Sequence, residues 1–490
     1  MICISINQES RRLAMADMVN AKLFGDVLEL RLDRFGKSPD IGEMIGARTK
    51  PIIMSCRRPG DGGQWDGTED ERLAILRQCI ISKADYVEIE LDAADDIRPF
   101  PPSKRVISYT NLSEVPTDIL NIYEECKTKR PDVIKLVVLA RTPEEAWPLV
   151  QILAKAVVPT VVVGLGKPGL MLSILSRKIG APWVYAALER GIEAYPGQPI
   201  AEDLKTIYRL QDIQKTTRLI GVTGFGDREL ITVAVLNAVF AHENMPIRCL
   251  PTGVGNMKTF GKIMEAVKLA GAVIDDEHQT EIVDIGVQLR GTAKETNAAD
   301  IIVHKPDGWH GMHLSGVVWV NALRNALKKR YPSDNPFKDR FIVLAGLNGS
   351  SRMIAKEIQR HQGNAIIASS DKKAAAAVAA EAGCRFIAFD ALYTTMHDVL
   401  VVCDEEKDEK TGRKGIRTGY VKQGMIVMDM TAITKPSELL KEVEMRGCEI
   451  VQPLELFLDL LEQQAKTLSG KPVARELLWE AIPARFLEEV

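Results

Sequence analysis

Residues 131–140 read PDVIKLVVLA, a run apolar enough to be a β-strand covered on both faces, with one lysine, Lys135, in its middle. An ammonium in such a strand loses its hydration unless something compensates. Two readings compete. The head snorkels from the strand end into solvent along its alkyl stem, or it is buried because a desolvated lysine can attack a carbonyl as a free amine. Which one holds depends on the fold around the strand.

The first 190 residues alternate strand candidates with amphipathic segments. The candidates cover 1–6, 26–32, 50–56, 85–91, 105–109, 132–139, 159–165 and 182–188. Between them lie stretches such as EDERLAILRQCIISK (69–83) and TPEEAWPLVQILAKA (142–156), with acids in the first turn and apolar residues at helical spacing. Eight strands with helical connections predict a closed (β/α)8 barrel, whose functional residues lie at the C-terminal strand ends. Lys135 then points inward from the sixth strand, where no easy route leads its head to bulk water.

A second α/β region begins at RLIGVTGF (218–225). A third begins at residues 339–370, where a strand, a glycine-bearing turn, a helix and a second strand open a dinucleotide-binding βαβ unit. The expected division is a barrel over 1–215, a small α/β domain over 216–330, a Rossmann-type domain over 331–470, and a C-terminal helix over 471–490 packing back on the second domain. DEEKDEKTGRKG (404–415) reads as an exposed charged loop without chemistry.

Bulk composition bounds the function classes. At 490 residues the chain is too long for one ordinary core. Its apolar content of 46%, charged content of 26% and net charge of −3 describe a globular chain with no bias toward nucleic acid or membrane surfaces. No apolar stretch approaches the roughly 20 residues that span a bilayer. The eight cysteines show no metal-type spacing, which predicts reduced thiols, no metal site and a cytoplasmic setting. Homo-oligomerisation is compatible with the sequence.

The barrel strand ends carry many charges. ELRLD (29–33) places Glu29, Arg31 and Asp33 on one face of strand two, and VEIEL (87–91) places Glu88 and Glu90 on one face of strand four. Arg57 ends strand three. Convergence of Glu29, Arg31, Glu90 and Lys135 inside the barrel is expected, either as a reactive site or as an ion-pair network that only fills the interior.

On ELRLD, GGQWDGTEDER (62–72), VEIEL, the strand-six lysine, GLGKPG (164–169) and PGQ (196–198), the first 200 residues resemble the type I 3-dehydroquinate dehydratases. The third region resembles a shikimate dehydrogenase nucleotide domain, so the order is that of the fused bifunctional shikimate-pathway enzyme. The resemblance implies a Schiff base between Lys135 and a cyclic keto acid such as 3-dehydroquinate. It implies Glu29 and Glu90 around the imine, Arg31, Arg57 and Gln198 on the substrate, and no cofactor in the barrel. It breaks at the general base. Where the family has a histidine after strand five, RVISYTNLSEVP (105–116) has Thr110, and residues 1–241 contain no histidine. Leu172, Ser173 and Ala194 also stand where the family has serine and arginine side chains.

The dehydrogenase half departs further. The serine pair of shikimate dehydrogenases is replaced by Leu230 and Thr232, and the lysine segment by AVIDDEHQTEI (272–282), which contains no lysine. GMHLSG (311–316) stands in place of the aspartate turn, leaving His313 and Ser315, and PLELFLDLLEQQ (453–464) is apolar where a substrate glutamine belongs. His278 and His313 could form a substitute dyad, although ordinary loop histidines are the blander reading. GLNGSSR (346–352) points to Gly346, Asn348, Gly349 and Ser350 as a pyrophosphate cradle, with Ser370 and Asp371 beside the adenosine ribose. The implied cofactor is NADP or NAD, with Lys372 and Lys373 as point charges for a phosphate and Asp371 as an acceptor for an unphosphorylated ribose.

Overall fold

The computed structural model describes residues 1–36, 40–406 and 415–487; residues 407–414 of the charged loop lie outside them. The chain forms two compact units, one of residues 1–226 and 246–268, the other of 227–245 and 269–490.

In the first unit, eight strands follow the chain: β1 (Ile2–Ile6), β2 (Val27–Arg31), β3 (Ile52–Ser55), β4 (Tyr86–Glu90), β5 (Lys104–Asn111), β6 (Val133–Val138), β7 (Thr160–Gly164) and β8 (Val184–Ala187). Each pairs in parallel with the next from β1 to β7, and β8 pairs in parallel with β1. The result is an eight-stranded barrel, hydrogen-bonded all round except between β7 and β8. Helices form where the caps require them. Thr68 and Glu71 make a capping box for Glu69–Ile81, and Thr142 caps Pro143–Lys155, whose first residue is a proline that needs no donor. Inward-facing Cys3, Val27, Ile53, Val106, Val133, Val161, Trp183 and Tyr185 belong to one buried cluster.

At the mouth, the loops after β7 and β8 lock together. The Gly166 amide donates to Pro196 O at 2.9 Å. A Cβ on Gly197, whose φ is +81°, would stand 2.4 Å from the Gly166 backbone, so both loops need their glycines. Beyond the barrel, this unit also holds a parallel pair, β9 (Arg218–Thr223) and β10 (Ile247–Thr252).

The second unit contains β11 (Leu269–Val273), β12 (Gln288–Leu289), β13 (Ile301–Lys305) and β14 (Gly308–Met312). Here β11 and β14 both run antiparallel to β13, and β12 runs parallel to β14. It also contains β15 (Phe341–Ala345), β16 (Asn364–Ser369), β17 (Arg385–Ala388), β18 (Val399–Val402), β19 (Ile426–Asp429) and β20 (Glu449–Ile450). These six are parallel throughout in the order β17-β16-β15-β18-β19-β20, the doubly wound arrangement. Alternate residues of its strands feed two apolar clusters, one on each face. The short helix Arg475–Glu480 lies against the helices Asp227–His242 and Pro453–Ser469. No helix among the described residues is long and apolar enough to cross a membrane.

Candidate active site

Lys135 is buried, 2% exposed, so the snorkelling reading fails. Its Nζ donates to Glu29 Oε1 at 3.0 Å and to Glu88 Oε2 at 2.9 Å, and lies 4.1 Å from the centroid of the Tyr185 ring. Arg57 Nη2 bridges the same two carboxylates, donating to Glu29 Oε1 and, at 3.1 Å, to Glu88 Oε2. Two cations and two carboxylates from β2, β4, β6 and the end of β3 thus neutralise one another in a desolvated space, where unpaired charge is costly. Ser5 Oγ donates to Glu29 Oε2 at 2.9 Å and accepts from Gln198 Nε2 at 3.4 Å, which ties the PGQ loop to the cluster.

Electrostatics sharpen the roles. Burial opposes ionisation of Glu29, yet Arg57, Lys135 and Arg31 together hold its carboxyl below the usual carboxylate range. Burial alone would weaken the Arg57 charge, but Glu29 and Glu88 push its pKa up. Burial, aided by the charge of Glu29, raises the Tyr185 phenol, which keeps its proton.

Glu90 and Arg31 sit elsewhere than expected. Glu90 Oε2 accepts from Arg72 Nη1 at 2.7 Å, and Arg72, fully buried, also donates to Cys56 O and Glu69. Burial pushes the Glu90 carboxyl above its ordinary value, against the pull of Arg72. The carboxylate on the lysine is therefore Glu88, not Glu90. Spacing of two assigns a face of a strand but not a height in the barrel, because strand tilt staggers neighbouring levels. Arg31 grips Asp33 through two bonds of 2.9 and 2.8 Å and donates to Gly62 O at 3.0 Å, while Asp33 accepts from the Gln64 amide. It positions the loop after β3 rather than touching Lys135. Ser5, Glu88, Arg72 and Tyr185 were not singled out as site residues. The period-two pairing with Glu90 was the available signal for Glu88, and an arginine within TEDER was a weak one for Arg72.

Thr110 lies inside β5, not after it, and is half-buried. Ser108 is in register with Lys135, and Thr110, on the same face, stands one step nearer the mouth. In the second unit His278 Nδ1 pairs with Asp275 Oδ1 at 2.7 Å and His313 Nδ1 with Thr296 Oγ1 at 3.1 Å, so each histidine has its own neighbour. The loop residues Gly346, Asn348, Gly349 and Ser350 do come together at the end of β15, and Ser370 and Asp371 follow β16. Among the described residues no group of His, Cys, Asp and Glu could hold a metal ion.

The first unit is thus a parallel β/α barrel with a buried lysine on its sixth strand, held between carboxylates. Residues 2–215 match the model of the type I 3-dehydroquinase family, and the chain belongs to that family. It is 31% identical over 192 residues to a 3-dehydroquinate dehydratase of Methanopyrus kandleri, covering 38% of this chain and 87% of that protein. It is 23% identical over 505 residues to the chloroplastic bifunctional 3-dehydroquinate dehydratase/shikimate dehydrogenase of Arabidopsis thaliana, covering 98% of this chain and 84% of that protein. Among solved structures, the dehydroquinate dehydratase and shikimate dehydrogenase of S. pombe aligns over 98% of both chains at 15% identity and a TM-score of 0.40. A shikimate dehydrogenase in complex with NADP+ aligns over 56% of this chain and 97% of its own at 19% identity and a TM-score of 0.46.

Proposed function

We propose that the barrel forms an imine between Lys135 and the ketone of a cyclic keto acid of the 3-dehydroquinate kind, as the first stage of a dehydration. The observation that carries this reading is the buried Lys135 Nζ held between Glu29 and Glu88. To attack, the ammonium must first lose a proton. In this reading Glu88, which accepts from Nζ at 2.9 Å, takes it. The amine adds to the carbonyl carbon, and the carbinolamine, once its hydroxyl is protonated, loses that hydroxyl as water while the nitrogen lone pair forms the C=N bond. The resulting iminium withdraws electrons from the neighbouring C–H bond. Removal of that proton gives an enamine, which expels the β-hydroxyl, and water then releases the enone and restores Lys135. Arg57 and Gln198 are placed to meet substrate oxygens, and Arg31 holds the loop beside them.

Proton removal is the weak step. Thr110 stands where the family has its histidine, and a threonine hydroxyl is too weak a base near neutral pH; a positioned base contributes about 10²–10⁴-fold. Imine formation therefore outpaces elimination, which also supports a second reading: a Schiff-base protein acting on another keto acid, or one that captures and senses its ligand. The eight free cysteines fit a reducing compartment such as the cytoplasm. The barrel chemistry needs no cofactor. The NADP or NAD implied for the second unit does not fit the residues present, which hydrogen-bond to one another, and we assign no shikimate oxidation.

The test follows the conjugated enone by its ultraviolet absorbance with 3-dehydroquinate, for the wild-type protein and Lys135→Met. Slow production that Lys135→Met abolishes supports the reading. Equal rates in the two proteins, or no enone from either, would overturn the dehydratase assignment.

A further inference from the structure

A dinucleotide in a doubly wound sheet needs free amides at the first helix N-terminus and free groups at the end of the second strand. In this chain both places are filled from within. Asn348 stands where a glycine would let the pyrophosphate approach. Its Oδ1 accepts from the Ser350 and Ser351 amides, each at 3.0 Å, and from Ser351 Oγ at 3.1 Å. Its Nδ2 donates to Cys403 O at 2.8 Å, and its own amide donates to Ser351 Oγ at 2.9 Å. The carboxamide is therefore pinned at both ends over the start of the helix Ser351–Arg360.

The turn is also covered. A Cβ on Gly349 would stand 2.1 Å from Gln279 Oε1, so a glutamine side chain packs against the turn. Ser350 is fully buried, its hydroxyl 2.9 Å from that of Ser315. At the end of β16, Glu406 Oε1 accepts from Ser369 Oγ at 2.5 Å. Its Oε2 accepts from the Ser370 hydroxyl and, at 3.2 Å, from the Ser370 amide. Asp371 is used as well, capping the helix Lys372–Ala382 through the Ala374 amide at 2.9 Å. Asp404 and Glu405 precede Glu406 in the chain, and their charge opposes any phosphate ester brought there.

We infer that the Rossmann-type domain is a self-occupied nucleotide fold, in which the Asn348 carboxamide takes the place of the pyrophosphate and the Glu406 carboxylate that of the ribose and its substituents. The wild-type domain then binds neither NAD nor NADP, and removing the two side chains reopens the cradle. Asn348→Gly restores the absent glycine, and Glu406→Ala frees the Ser369 and Ser370 hydroxyls. Neither change touches the barrel, so the outcome is independent of the imine reading.

The experiment is calorimetric titration of the full-length protein with NAD+ and with NADP+, up to about 1 mM, a range that saturates micromolar sites. The expected result is no binding by the wild type and at least about tenfold stronger binding by the double variant. Binding of either nucleotide by the wild type would overturn the inference. So would a double variant that circular dichroism shows folded and that still binds nothing. If the glycine change prevents folding, Asn348→Ala combined with Glu406→Ala decides: a gain of NAD+ binding supports the occlusion, and none in the folded protein overturns it.

Discussion

The barrel mouth and the end of the doubly wound sheet both gather buried polar groups at the C-terminal ends of parallel strands. They differ in the reach of their bonds. Lys135 meets Glu29 across 106 residues of chain and Glu88 across 47, so strands far apart in the chain supply the counter-charges. Asn348 satisfies amides two and three residues away. On the proposed reading, a network assembled from distant strands admits a substrate by exchanging partners. The Asn348 carboxamide instead takes up amides within three residues of itself, anchored by its Nδ2 on Cys403 O, and so removes donors from any ligand. The same chemical parts therefore build a mutually compensated ion network in one unit and a closed turn in the other.

The contrast can be broken or sharpened in order of effect. The largest change is expected from Thr110→His. A base one step above Lys135 should raise the rate of enone formation by about 10²–10⁴-fold, measured by absorbance under saturating substrate. No gain would mean that proton removal does not limit the barrel. Next is Glu29→Gln, which leaves Lys135 and Arg57 to share one carboxylate. Removing one partner of a buried network should cost about 3–5 kcal/mol in chemical denaturation at neutral pH.

The pH dependence of that penalty has a defined sign. The Glu29 carboxyl is held low in the folded state, so its contribution is complete above the ordinary carboxylate range and is lost as pH falls toward its lowered value. The difference in denaturation midpoint between wild type and Glu29→Gln should shrink from pH 7 to pH 3. A gap that widens with acid would contradict the ion network. The smallest effect is Asn348→Ala, which leaves the Ser350 and Ser351 amides without their acceptor and should cost about 1 kcal/mol in the same measurement. A neutral result would mean that the carboxamide does not hold the turn.

Much of the barrel was legible because its strands are continuous apolar runs punctuated by capped helices. All eight lie within two residues of their expected bounds, and β5 runs two residues further, through Thr110 to Asn111. Lys135, Glu29, Arg57 and Gln198 were readable from face and motif. Glu88 was passed over for Glu90 because alternation fixes the face of a side chain and not its level around a tilted barrel. Arg72 could not be placed, since its role depends on how the helix Glu69–Ile81 docks over β4. In the second unit the glycine turn was recognisable, whereas the occupation of its donors was not, because Glu406 and Gln279 arrive from distant segments.

The most direct measurement is reduction with borohydride in the presence of 3-dehydroquinate, followed by peptide mass spectrometry. The account predicts one adduct, on Lys135, absent from Lys135→Met. An unmodified Lys135 in protein that remains folded, or an adduct on another lysine, would contradict it.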